Sequence, residues 1–374
     1  MSHKIGNFEF NPDCRFFNGY KPCKFKRLCK GCGEYRPIGK RLLIINLDAM
    51  GDVLMTTAML APLRRKYGDD AFITWITRAN AMSLLAHNPL VDRVTPYDFE
   101  GSLVVKRQKF DAAFNVDKSA NSCALLNEVT AKHKFGFGLS DWGTIMPANK
   151  ENAYNFEMGL NDDLKFRQNK LAGTQILHEG MNLGFERDEY ILEQTDEEKE
   201  YIQAYKRNNK LEGRKIIGIN TGCSPLYANK KLSADQYVDL CRRLKEAFPK
   251  ATVALVGGKA ETEFNRDIAA RAGDVLATPT DQGLRRGIGF IDLCDIIITG
   301  DTMAVHIGIA LKKFMVPFFT LTCPAELDLY DRGVKIACEL DCAPCWKREC
   351  DDLRCITEMD LDRIVKGVGE YFKT

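Results

Sequence analysis

Arg41-Leu-Leu-Ile-Ile-Asn-Leu47, followed by Asp48-Ala-Met-Gly-Asp52-Val-Leu54, is the stretch on which the fold turns. Apart from Arg41 and Asn46 the first seven residues are apolar without alternation, which predicts a parallel strand buried on both faces. A short loop leads from it into residues 53–66, whose apolar positions include Leu54, Ala58 and Leu63 and predict a helix. Strand, loop and helix in that order form the repeating unit of a parallel α/β sheet. Within the loop, Gly51 permits close backbone approach, and the helix start offers unpaired N–H groups. Asp52 at that start is either a cap for the helix or a general base presented to a cleft, and one carboxylate does not separate the two.

The same rhythm extends outward. Strands are predicted at 71–77 and 109–115, the second reaching Asp117 at its C-terminal edge, with a helix at 79–86 before the His87-Asn-Pro89 turn. Pro62 inside the first helix predicts a bend. Residues 135–170 mix Gly, Asn and aromatics with no clean period, which predicts loops and short helices. Thr195-Asp-Glu-Glu198 is a capping-box pattern opening a polar helix that ends near Asn209. Strands at 215–219, 251–256, 296–299 and 314–319 then alternate with helices at 233–248, 261–272 and 302–311. Two such runs predict an α/β protein of two doubly wound Rossmann-like domains facing a cleft. The expected organisation is a cysteine-rich segment over 1–39, a first domain over 40–190, a connecting helix and linker over 191–214, a second domain over 215–337, and a cysteine-rich tail with a terminal helix over 338–374.

A length of 374 residues suits two domains, and 45% apolar with 28% charged residues describes an ordinary globular chain. Fifty-three basic against 51 acidic residues leave a net charge of +2, which argues against a dedicated nucleic-acid binder. Apolar runs such as 41–47 fall far short of the roughly 20 residues a membrane span requires. The first residues have no apolar core of signal-peptide length, so a cytoplasmic, reducing location is expected.

The 14 cysteines are the compositional anomaly. Cys14, Cys23, Cys29 and Cys32 lie near the beginning, and Cys338, Cys342, Cys345, Cys350 and Cys355 near the end. In a reducing compartment this clustering predicts thiolate metal ligation. Cys14, Cys23, Cys29 and Cys32 supply the four ligands of one closed structural zinc site, and Cys342, Cys345, Cys350 and Cys355 those of another. An iron centre or iron–sulfur cluster would use the same ligands. Neither cluster is expected to be catalytic, since four thiolates leave no open position on zinc.

Two further loops join a strand end to a helix start. Asn220-Thr-Gly222 continues to Lys230-Lys231, where N–H groups at Thr221 and Gly222 and one or two lysines suit a diphosphate. The lysines are equally compatible with a solvated pair. Gly300-Asp-Thr-Met-Ala-Val-His306 carries Asp301 and Thr302, able to bind sugar hydroxyls or cap the helix, and His306 one turn in. No P-loop follows any strand and no G-x-G-x-x-G follows the first, which weakens nucleotide hydrolase and dinucleotide oxidoreductase readings. Zinc-protease and serine-hydrolase motifs are also missing.

The order of these segments resembles the lipopolysaccharide heptosyltransferase family, glycosyltransferase family 9, which has the GT-B fold. The resemblance rests on Asp48–Leu54, on Asn220-Thr-Gly222 with Lys230-Lys-Leu-Ser233, on Val256-Gly-Gly-Lys-Ala-Glu261, and on Asp301–His306. Cys342-Ala-Pro-Cys-Trp-Lys-Arg-Glu-Cys350 with Cys355 resembles a tail found in one branch. The resemblance implies transfer of heptose from ADP-heptose to a hydroxyl of a glycan or protein, with inversion and without a catalytic metal. It implies Asp52 as general base, Lys230 at the donor phosphates, and Gly51, Thr221 and Gly222 lining the donor site. Glu261 would hold the nucleoside, and Asp301, Thr302 and His306 would surround the donor sugar and diphosphate. Met303 stands where the family usually has glycine, so a different nucleotide-sugar is the alternative donor. A catalytically inactive, metal-stabilised interaction protein is the non-enzymatic alternative. Acceptor recognition is expected within 99–170, with a peripheral position on the inner face of a membrane or an oligomer as possible settings. GT-B proteins commonly send their final helix back to the first domain, which would bring the two cysteine groups together.

Overall fold

A computed structural model describes residues 3–373 of the chain. In chain order the strands are β1 (His3–Ile5), β2 (Phe8–Phe10), β3 (Arg41–Ile45), β4 (Phe72–Thr77), β5 (Arg93–Pro96), β6 (Lys109–Asn115), β7 (Thr130–Leu139), β8 (Ile145–Pro147), β9 (Ile216–Asn220), β10 (Thr252–Val256), β11 (Leu276–Ala277), β12 (Ile296–Gly300), β13 (Phe314–Phe319) and β14 (Ile336–Ala337). β1 and β2 form a small antiparallel hairpin. The rest make two six-stranded sheets, ordered β5-β4-β3-β6-β7-β8 and β11-β10-β9-β12-β13-β14. Only β8 runs antiparallel in the first, and the second is parallel throughout. In both, strand order reverses beside the founding strand, between β3 and β6 and between β9 and β12. Loops leaving the carboxyl ends of strands at such a reversal form a crevice, because their helices depart to opposite faces.

Unbroken apolar strands supply both faces of each sheet. Leu42 and Ile44 of β3 pack with Val53, Leu54 and Trp75, whereas Leu43 and Ile45 pack with Val105, Leu125 and Leu126 on the other side. The core that includes Leu42 continues into the second lobe through Ala304, Val305 and Ile307. Helix Met50–Thr56 meets helix Met303–Ala310 there. Polar clasps reinforce the junction. Arg285 Nε donates to Glu198 at 2.7 Å, and Arg187 reaches Asp328 at 2.7 Å.

Several local expectations change. The helix predicted over 53–66 is two helices, Met50–Thr56 and Leu60–Tyr67, separated by a 3₁₀ turn at Thr57–Met59. Pro62 sits in the first turn of the second helix, where its missing N–H forfeits no helical bond, so the bend comes before the proline. The terminal helix Leu361–Tyr371 does not return to the first sheet. Leu361, Ile364 and Val368 bury themselves in the second lobe with Val316 and Ile336. No helix is long and apolar enough to cross a membrane among the described residues.

The metal expectation is overturned. Among the described residues no group of three or more His, Cys, Asp or Glu is arranged to hold a metal ion. Cys14, Cys23, Cys29 and Cys32 all line one cavity of about 500 Å³ together with Phe10, Phe16, Phe17 and Phe25. Thiols spread round such a wall do not meet at one point, as bonds of about 2.3 Å to a shared zinc demand. In the tail, burial raises the Cys355 thiol to about 11, with added pressure from Cys338, Cys345, Cys342 and Cys350. These thiols are neighbours without converging, and Cys350 Sγ turns instead to the Asp352 carbonyl at 3.2 Å. The sequence spacing gives the number of ligands but not their direction. Neither a structural zinc nor an iron centre is supported, and the metal-stabilised interaction protein loses its basis.

Trp75 is fully buried at the centre of β4. Trp75→Ala is expected to lower stability by roughly 3–5 kcal/mol, read as a shift in denaturant midpoint with an unchanged slope.

Candidate functional site

The crevice is built from four strand ends. On the first lobe the loop after β3 is held by Asp117, which follows β6 across the reversal. Its carboxylate accepts from Asn46 Nδ2 at 2.7 Å, from the Leu47 N–H, and from the Asp48 N–H at 3.3 Å. Asn115 in turn accepts from the Asp117 N–H at 3.2 Å. Buried donors thus converge on a buried carboxylate and fix where the loop enters the helix. Asp52 Oδ2 accepts from the Ala49 N–H at 3.2 Å; the N-cap is Ala49, and Asp52 is the third helical residue, reaching back to cap it. Its side chain also remains exposed to the crevice, so the cap leaves it accessible to a ligand.

Across the crevice stands His306. A β-carbon on Gly51 would lie 2.7 Å from His306 Cδ2 and 3.2 Å from its Nε2. The imidazole stacks on Tyr190, centroids 6.0 Å apart, and its buried Nδ1 has no hydrogen-bond partner in the protein. Crowding by both lobes strips water from the Asp52 carboxylate and raises its pKa, although the residue keeps a solvent-facing side. The His306 charge, the Ala49 N–H and Lys230 oppose that rise, while Asp301 adds to it. Burial lowers the His306 pKa against the pull of Asp301 and Asp52, favouring the neutral imidazole.

On the second lobe, Asn220 at the end of β9 ties the loops together. Its Nδ2 donates to the Gly222 carbonyl at 2.9 Å and to Thr299 Oγ1 at 3.0 Å. Thr302 caps helix Met303–Ala310 by accepting from the Ala304 N–H at 3.3 Å. Lys230 Nζ donates to the Asp301 carbonyl at 3.1 Å and lies 3.4 Å from its carboxylate. The Lys230 ammonium also sits over the Tyr227 and Trp346 rings, at 5.1 and 5.0 Å. Glu261 accepts from the Gly258 N–H at 2.9 Å, and a β-carbon on Gly222 would come within 3.0 Å of its Oε2.

The structure therefore brings Gly51, Asp52, Lys230, Asp301, Thr302 and His306 together, with Gly222 and Glu261 forming an adjoining group. Thr221 differs in orientation. It is fully buried, its N–H bonds to the Val256 carbonyl at 3.2 Å, and its hydroxyl bonds to Asn265. Met303 packs its side chain against the shared core.

Several crevice residues have no signal in the sequence reading. Lys118 follows Asp117, and desolvation together with the Lys165 charge lowers its pKa, with Glu326 and Asp52 opposing. Lys165 comes from a π-helical turn, Leu164–Gln168, and lies 4.7 Å from the Trp346 ring. Trp346 lies within the tail motif whose cysteine spacing predicts metal binding. Its backbone N–H bonds to the Leu321 carbonyl at 3.0 Å, and Asn229 Nδ2 donates to the Lys347 carbonyl at 3.1 Å. That segment therefore covers Lys230.

Two doubly wound sheets with a crevice at their facing reversals define the GT-B-like class of glycosyltransferase folds. The model of glycosyltransferase family 9 (heptosyltransferase) matches residues 104–355, and the chain belongs to that family. The structure is similar to that of a family 9 glycosyl transferase from Veillonella parvula DSM 2008, with a TM-score of 0.68 and 14% identity over 88% of this chain and 96% of that one. It is similar to E. coli ADP-heptose lps heptosyltransferase II, with a TM-score of 0.60 and 17% identity over 88% and 98% of the two chains. A third similar structure is E. coli heptosyltransferase WaaC with ADP-2-deoxy-2-fluoro heptose, with a TM-score of 0.55 and 14% identity over 89% and 99%. No curated protein matches the sequence.

Burial, opposed by the three donors, raises the Asp117 carboxyl from 3.8 to about 7. The folded state then retains a proton that the unfolded chain has released, so this group makes stability fall as pH rises from about 4 to about 7. Asp117→Asn is expected to remove that part of the pH dependence, measured as denaturation midpoints across the range. An unchanged profile would mean that Asp117 is ionised throughout.

Proposed function

We propose that the chain transfers a heptose from ADP-heptose to a hydroxyl of a glycan or protein acceptor, with inversion at the anomeric carbon. The observation that carries this is the approach of Asp52, in the first turn of helix Met50–Thr56, to His306, Asp301 and Lys230 of the other lobe. The lobe formed by 40–190 would receive the acceptor and that of 215–337 the donor. The relatives named for ADP-heptose and its fluorinated analogue support this donor.

In this reading Asp52 accepts the proton of the acceptor hydroxyl as its oxygen attacks the anomeric carbon. The bond to the ADP oxygen breaks on the opposite face, which inverts the centre. Charge then accumulates on the departing diphosphate. Lys230 supplies a point charge there, and the start of helix Met303–Ala310 supplies N–H groups and a partial positive charge. Asp301 holds Lys230 in position through its carbonyl and carboxylate. Thr302 and His306 line the sugar side, and His306 acts as a neutral hydrogen-bonding group. Glu261, beside Gly222, would take the nucleoside, while Thr221 supports that loop from inside. Because Met303 is turned to the core, its bulk is compatible with the heptose donor.

Asp52→Asn is expected to reduce kcat by about 10²–10⁴-fold, the usual contribution of a positioned base, with ADP-heptose affinity nearly intact. A large loss of affinity at unchanged turnover would overturn the base assignment. Since the Asp52 pKa is raised, transfer should fall as pH drops through a value above the ordinary carboxylate range, and the variant should lack that limb. Lys230→Ala is expected to weaken donor binding by roughly 1.5–3 kcal/mol, the range for a hydrogen bond to a charged group, measured by titration calorimetry. Thermal protection by another nucleotide-sugar but not by ADP-heptose would refute the proposed donor.

A further inference from the structure

The segment preceding the first sheet plays no part in the crevice, and its construction calls for a partner. None of residues 3–40 is buried. Its aromatic rings stack along the surface, Phe10 on Phe17 at 6.0 Å and Phe16 against Phe25 at 5.1 Å, and they surround the 500 Å³ cavity without closing it. Four apolar side chains on the cavity border are open to solvent: Ile5 at 72%, Phe8 at 54%, Tyr20 at 98% and Leu28 at 71%. Isolated exposed apolar residues are ordinary, but a set gathered round one apolar opening marks a binding surface.

The charge beside that opening is predominantly positive, with Glu34 the one acid on its border. Residues 1–39 carry eight lysines and arginines against three acidic residues, in a chain whose total is only +2. From 14 to 33 there are six cations and no acid. Lys21, Lys26 and Arg27 share the cavity border and are exposed. None of them forms an ion pair among the described residues. We propose that this segment binds the surface of an anionic lipid bilayer, with the aliphatic and aromatic side chains entering the headgroup boundary and the lysines and arginines facing lipid phosphates. A symmetric contact between two copies would set like charge against like. A nucleic-acid backbone would offer no apolar medium for Ile5 and Leu28.

The attachment of the segment fits an anchor. Arg15 donates to the Asp70 and Ala71 carbonyls at 2.7 and 2.9 Å, and the Gly39 N–H bonds to the Asp70 carbonyl at 3.1 Å. These carbonyls precede β4, at the end of the first sheet opposite the start of helix Met50–Thr56. A bilayer held there leaves the crevice open, so lipid binding and the proposed transfer are separable.

The test is cosedimentation of the full chain with phosphatidylcholine–phosphatidylglycerol vesicles and with phosphatidylcholine vesicles. Binding is expected only to the anionic vesicles and should weaken with added salt. Lys21→Gln/Lys26→Gln/Arg27→Gln should bind about 100-fold more weakly, as removal of three surface cations implies, with its thermal midpoint unchanged. Ile5→Ser/Leu28→Ser should also weaken binding, whereas Asp52→Asn should bind like the parent. Equal binding to both vesicle types, no binding to either, or full binding by both surface variants would overturn the proposal. So would retention of a duplex oligonucleotide, or a dimer that the Ile5→Ser/Leu28→Ser variant dissociates, in the absence of vesicle binding.

Discussion

A side chain on Gly51 would collide with the His306 ring, since even a β-carbon there would stand 2.7 Å from Cδ2. This close approach of two helix starts governs the rest of the crevice. It lets helix Met50–Thr56 and helix Met303–Ala310 share one apolar core through Val53, Leu54, Ala304 and Val305. It also brings the next residue, Asp52, into the field of His306, Asp301 and Lys230. Each lobe could fold as a parallel sheet without this contact. The site could not be assembled without it.

The electrostatics follow from the same geometry. Desolvation is the leading influence on both Asp52 and His306, and it acts in opposite directions, raising the acid and lowering the base. Both shifts favour neutral forms, and their mutual attraction only partly restores the charges. A carboxylate in such surroundings is a stronger base than one in water, while the imidazole beside it remains neutral. Asp117 contributes from behind by fixing the loop backbone, and Lys230 is held by Asp301 beneath the Tyr227 and Trp346 rings. The side chains of the proposed site therefore rest on strand ends and helix starts.

Much of this framework is legible in the sequence because buried parallel strands leave an uninterrupted apolar run. β3, β9, β12 and β13 all lie where such runs predict them, β6 is found where expected although Lys109 and Asp111 interrupt it, and the Thr195 capping box opens its helix at Asp196. Elements containing glycine were harder to see. β7 hides Phe135 and Phe137 among Gly136 and Gly138, and Gly136 lies where a β-carbon would strike the Asn115 carbonyl at 1.8 Å. Helix Gly283–Leu293 carries Gly289 against Ile202, a packing requirement that resembles a loop signal in the sequence. The crevice motifs were visible as strand–loop–helix junctions, but the inward turn of Thr221 was not. Lys118, Lys165, Tyr190 and Trp346 reach the crevice through tertiary contacts that no local spacing encodes. The cysteines erred the other way, since regular spacing suggested ligands whose thiols do not converge.

The central claim is that Asp52 faces the reacting atoms across a single crevice shared by both lobes. The most direct measurement is a crystal structure of the chain with a non-transferable ADP-heptose analogue and an acceptor. The account predicts an acceptor hydroxyl within about 2.6–3.2 Å of the Asp52 carboxylate, hydrogen-bonding reach for a general base, with the anomeric carbon beyond it and the diphosphate beside Lys230. An acceptor hydroxyl held by some other group, with Asp52 directed away from it, would contradict the account.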